Sequence, residues 1–97
     1  MPATILIVGP LPAQAAALQR RHPSLRLRVL GSDERPARVG AQARHADRVI
    51  VLASFVSHST QAAIVAAGHK PVIVHGGLAA VDRALAAEYP TVQVGLY

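Results

Sequence analysis

Residues 51 to 77 read VLASFVSHSTQAAIVAAGHKPVIVHGG and hold three of the five serines and three of the five histidines. Ser54, Ser57, Ser59 and Thr60 supply hydroxyls, and His58 and His75 supply imidazoles, which titrate near neutral pH and suit acid–base work. A serine nucleophile is not legible. Ser57 and His58 are adjacent, so at a helix start their side chains diverge, and no GxSxG elbow is present. Two histidines without a third ligand are a poor metal set, because zinc sites take three or four protein ligands. No catalytic and no metal-binding residue is therefore assigned.

Anion binding is the chemistry that the pattern favours. The first N–H groups of a helix have no partner within it, and the helix dipole places positive potential there. Ser57 is suited to cap a helix that begins at His58, which leaves the amides of His58, Ser59 and Thr60 at its mouth. Gly76 and Gly77 open the next helix in the same way, and they carry no side chain to keep a ligand from the backbone. Placed side by side, the two helix starts would make a better anion site than either alone.

These groups must be carried by strands and helices. TILIVG (4–9) is a continuous apolar run ended by Gly-Pro, the pattern of a buried strand. The next segment is alanine-rich, with Pro12 suited to a first helical turn and Pro23 to a stop. SLRLRVLG (24–31) alternates Leu25, Leu27 and Val29 with Arg26 and Arg28, as a half-exposed edge strand does. A weak helix spans about Pro36 to His45, with Gly40 against it. DRVIVLAS and PVIVHGG are two more strands, flanking a helix closed by Gly68, and a last helix starts at Leu78. TVQVGLY (91–97) is a candidate fifth strand.

Strands alternating with helices predict a single three-layer α/β domain over residues 1–97. Its four- or five-stranded parallel sheet is flavodoxin- or Rossmann-like, in the order 2-1-3-4(-5), with the arginine-striped strand at an edge. Such folds bind ligands beyond the carboxyl ends of the strands, at the point where strand order reverses. The candidate ligand-binding residues are thus Gly9, Pro10, Ser54, Ser57, His58, Ser59, Thr60, His75, Gly76 and Gly77. Asp33 reads as a loop residue, and Asp47 lies at the opposite edge of the sheet. His22, His45 and His69 sit at helix ends, where a cation suits the dipole. No dinucleotide fingerprint or phosphate loop occurs, so no cofactor is indicated.

The chain has 97 residues, over half of them hydrophobic, which suffices for one core and excludes a separate substrate domain. With three aromatic residues (Phe55, Tyr89, Tyr97) it lacks a stacking platform for single-stranded nucleic acid. The absence of cysteine excludes disulfides and thiolate sites. No apolar run approaches the ~20 residues of a membrane span. MPATILIVGP has no basic leader region, so the expected location is the cytoplasm and no membrane is expected as a partner. The net charge of +5 suits solubility or an acidic partner, and its arginines fall mainly between Arg20 and Arg48. Small size and an edge strand lead us to expect a homodimer.

The segment 46–85 resembles a bacterial family catalogued as domain of unknown function 2325. Asp47, Ser57, His58, Lys70, Pro71 and Gly77 carry the resemblance. It implies a small Rossmann-like unit and singles out the same Ser57–His58 loop. The chain departs from that pattern in having no basic residue from Gln61 to Ala67 and in carrying Ala79 where a serine is frequent. The sequence thus leads us to expect a small binding or regulatory domain for an anionic ligand, a nucleotide or phosphorylated metabolite. Its alternative is a nucleic-acid- or protein-interaction module that uses Arg26, Arg28, Arg35, Arg38 and Arg44. A small Ser/His enzyme ranks third.

Overall fold

A computed structural model describes residues 3–10 and 12–88. The elements are β1 (Thr4–Gly9), α1 (Pro12–Arg21), β2 (Arg26–Gly31), α2 (Pro36–Ala43), β3 (Arg48–Leu52), α3 (His58–Ala66), β4 (Val72–Val74) and α4 (Leu78–Glu88). One 3-10 turn, Ala53–Phe55, joins β3 to α3. The strands form one parallel sheet in the order β2-β1-β3-β4. This is the flavodoxin-like order expected from the alternation of elements. The candidate fifth strand at residues 91–97 lies outside the described residues.

The two faces of the sheet are covered by different helices. Ile5 and Ile7 of β1 and Ile50 and Leu52 of β3 pack with Leu18 of α1 and Ala80, Val81 and Leu85 of α4. Leu6, Val8, Val49 and Val51 face the other way, onto Val39 and Ala43 of α2 and Ile64 of α3. The central strands β1 and β3 are therefore buried on both sides, which explains why they read as unbroken apolar runs. Helices of eight to eleven residues are too short to persist alone. Burying each Leu, Ile or Val contributes about 1.5–3 kcal/mol, so packing holds these helices rather than propensity.

Gly40, which argues against a helix by propensity, proves to be a packing residue. A Cβ at this position would lie 3.3 Å from the carbonyl oxygen of Ala63 and 3.5 Å from its Cβ. The missing side chain lets α2 lie tightly on α3. The helix is shorter than the span to His45 read from sequence, and the entry into β3 explains why. Asp47 donates its N–H to the Thr4 carbonyl at 2.8 Å and accepts the Thr4 N–H on Oδ2 at 2.7 Å. To reach that position the chain tightens after Ala43, with His45 N–H donating to Gln42 O and Ala46 N–H to Ala43 O. At the other end of α3, Gly68 closes a two-bond cap: its N–H donates to Val65 O at 2.9 Å and the His69 N–H to Ile64 O at 3.3 Å.

The largest departure from the sequence reading concerns His22. The sequence places it at a helix end, where a cation suits the dipole. In the fold His22 is 6% exposed, and its Nε2 lies 2.8 Å from Oδ1 of Asp82 on α4. The same carboxylate accepts from Arg21 on its other oxygen. These bonds join the end of α1 to the middle of α4 on one face of the sheet, across 60 residues of sequence. The α4 residues Ala80, Val81 and Leu85 are buried in this core, so that apolar face is not open to a second copy. β2 shows the expected alternation: Arg26 and Arg28 are exposed, and Leu27 and Val29 are half-buried against the core. Arginines along an edge disfavour strand-to-strand association.

Two stability changes are expected. Gly40→Leu should lower the free energy of urea unfolding by about 1–3 kcal/mol, through overpacking of α2 on α3. Asp82→Ala should cost about 1–3 kcal/mol by leaving a buried imidazole nitrogen without its partner. Unchanged urea midpoints would refute each account separately.

Candidate functional site

The carboxyl edge of the sheet is built by the turn after β1, the 3-10 turn after β3 and the segment after β4. At the first of these Gly9 has φ +120°, a conformation that side chains rarely adopt. A Cβ there would also lie 3.0 Å from Leu52 Cβ and 3.2 Å from Val56 Cγ2. Val56 is itself 9% exposed. The crevice between β1 and β3 is thus filled at this point by Val56 packed on Gly9, and Pro10 is buried beside it. Gly9 and Pro10 shape the floor of the edge and do not face solvent.

The Ser57 loop stands above that floor. Ser57 is extended (φ −70°, ψ 160°), and its Oγ accepts the Thr60 N–H at 3.2 Å, as an N-cap residue does. The same hydroxyl donates to Thr60 Oγ1 at 3.1 Å, which gives the buried Thr60 side chain its partner. Gln61 adds a bond from Nε2 to the Val56 carbonyl, 3.4 Å long. Ser57 thus closes the first turn of α3 through two bonds to Thr60. Both Ser57 Oγ and Thr60 are used up internally, whereas His58, Ser59 and Ser54 are exposed. The N–H groups of His58 and Ser59 carry no hydrogen bond among the described residues.

The second helix start is different. His75, Gly76 and Gly77 are all exposed, and Gly76 turns the chain at φ +116°. Gly77 accepts from Ala80 and Val81 through its carbonyl, so it stands at the cap position of α4 without a capping side chain. Nothing lies within 4 Å of the place where its Cβ would be.

The two helix starts, which would act best side by side, stand in different layers. α3 packs with α2, and α4 packs with α1 across the sheet. They flank the ends of β3 and β4 from opposite layers. The reason is the His22–Asp82 bond and the Leu18, Val81 and Leu85 cluster, which hold α4 beside α1. No hydrogen bond joins His58 to His75 among the described residues. Nor does any group of three His, Asp or Glu there have metal-binding geometry. No helix among the described residues is long and apolar enough to cross a membrane.

No family model, curated protein or solved structure gives a match to this chain. Function has to be read from the site itself.

Replacing Ser57 tests its role in the loop. Ser57→Ala should destabilise the domain by about 0.5–2 kcal/mol, whereas Ser57→Asp, which keeps an acceptor, should stay near the parent. Equal losses in the two variants, measured by thermal unfolding, would show that the cap is not what position 57 supplies.

Proposed function

We propose that this chain is a small binding or regulatory domain that holds an anionic ligand at the carboxyl edge of its sheet and does not turn it over. The ligand class is a nucleotide or a phosphorylated metabolite. The observation that carries this reading is the division of labour at the start of α3. Ser57 satisfies the amide of Thr60, while the amides of His58 and Ser59 stay without a partner at the positive end of the helix dipole. An anion there would exchange water for two oriented N–H donors, with the exposed Ser59 hydroxyl and His58 imidazole next to them. Gly76 and Gly77 lie at the neighbouring strand end, with backbone that a ligand can approach.

Catalysis has less support. The Ser57 hydroxyl is committed to Thr60, and neither exposed histidine is bonded to a serine among the described residues. The resemblance over residues 46–85 rests on the same Ser57–His58 pair and fits a binding role without adding one.

Adenosine monophosphate is a suitable probe because it combines a phosphate with an organic body. Titrating it should shift the backbone amides of His58, Ser59, Gly76 and Gly77 in a saturable way. Ser59→Glu places a fixed negative charge at the helix start, where the fold tolerates it. That variant should weaken binding at least tenfold while unfolding at or above the parent's temperature. Binding that is unchanged in Ser59→Glu, or shifts confined to other loops, would reject this site.

A further inference from the structure

A second recess lies at the opposite, amino edge of the sheet, where no ligand is expected for this fold class. Its volume is about 260 Å³, and its lining includes Thr4, Arg26, Arg28, Gln42, His45 and Ala46. The packing explains why it exists. On this face α2 and α3 lie against each other over β1 and β3, and β2 is left half-covered. The even-numbered residues of β2 point to this face, where Leu30 alone joins the core. Arg26 and Arg28 therefore line open space beside the end of α2. Thr4 pairs with Arg26 in the sheet register and contributes the neighbouring wall.

The charges in this recess are only partly compensated. Arg28 donates to Gln42 Oε1, a neutral acceptor that holds the guanidinium in place. The Arg26 side chain has no hydrogen-bond or ion-pair partner among the described residues, and neither does the His45 side chain. The nearest acid along the chain is Asp47, which is bonded to the Thr4 amide and forms no ion pair with Arg26 or Arg28. Glu34 is bonded to Arg38 at 2.8 Å, and Asp82 is held by Arg21 and His22.

We propose that this recess is a binding site for a small phosphate monoester, gripped by Arg26 and Arg28. Two residues apart on one strand face, their Cα atoms are about 6.6 Å apart, so the two guanidinium groups can approach one phosphate from either side. Guanidinium is the group best matched to two oxygens of such an anion. The recess is slightly smaller than the ~300–1,000 Å³ of sites for drug-sized ligands, which limits the organic part to a few carbons. A nucleic acid backbone would need cations spaced along a ridge, and these two line one hollow. The site is independent of the proposed carboxyl-edge site and stands or falls separately.

The test is an amide-shift titration of the intact chain with glycerol 3-phosphate, repeated with inorganic sulfate at matched ionic strength. The ester should move the amides of Thr4, Arg26 to Arg28 and Gln42 to Ala46 saturably and more tightly than sulfate does. Arg26→Gln with Arg28→Gln should weaken binding at least tenfold, without a change in melting temperature, because both side chains are exposed. The control pair Arg35→Gln with Arg83→Gln removes the same net charge elsewhere and should change the affinity less than twofold. Equal weakening by the two double variants would reduce the effect to net charge and overturn the proposal. Shifts confined to residues 57–60 and 76–77 would overturn it as well and leave the carboxyl-edge reading intact. Tighter binding of a 12-base-pair duplex than of the ester at these amides, with a steep salt dependence, would replace it with a polyanion surface.

Discussion

A parallel sheet this small is stable only if its central strands are covered on both faces. β1 and β3 meet that demand almost completely: Ile5 to Val8 and Val49 to Leu52 are all at most 2% exposed. Four helices supply the cover, two to a layer. Two helices side by side leave both edge strands short of cover in the α2/α3 layer, where Arg26 and Arg28 of β2 and Ile73 of β4 are exposed. In the α1/α4 layer the half-buried Leu25, Leu27 and Val29 of the same region pack against the core. The arginine stripe of β2, its edge position and the recess beside it all follow from that shortage of cover.

The same demand shapes the carboxyl edge. Because Val56 must return to the core after the 3-10 turn, Gly9 cannot carry a side chain, and the crevice between β1 and β3 is filled at its base. Chemistry at that edge is displaced outwards, to the helix starts. There the groups facing solvent are backbone amides and the exposed side chains of Ser54, His58, Ser59 and His75.

Local pattern made much of this legible. The apolar runs 4–9 and 48–52, the Ser57 cap, the Gly68 stop and the alternation of Arg26 and Arg28 each depend on residues close in sequence, so their physics is written in short windows. What depended on distant partners was not visible. His22 reads as a helix end until Asp82, 60 residues on, is seen beside it. Gly40 reads as a weak helix residue until Ala63 is placed 3.3 Å from its missing Cβ. The placement of α3 and α4 in opposite layers escaped for the same reason: helix starts after neighbouring strands look adjacent in a list, and only the core contacts of α4 assign its layer. The recess at the amino edge has no signature of its own, because it lies where no helix among the described residues covers β2.

The bond between His22 and Asp82 also bears on how the chain acquires its structure during synthesis. Everything that the α2/α3 layer needs has been made once Ala67 is available, since its core residues run from Leu6 to Ile64 with Ala67 at its margin. The other layer must wait for Val81, Asp82 and Leu85. Until α4 has left the ribosome, Leu18 and His22 have no cover, and the inner faces of Ile5, Ile7 and Ile50 stand open. An emerging chain of this kind is a half-closed book, with one side packed and the other a strip of exposed isoleucines. That interval, at a synthesis rate of about 5–20 residues per second, lasts on the order of seconds, and it is when this domain is most exposed to capture by chaperones or by other nascent chains.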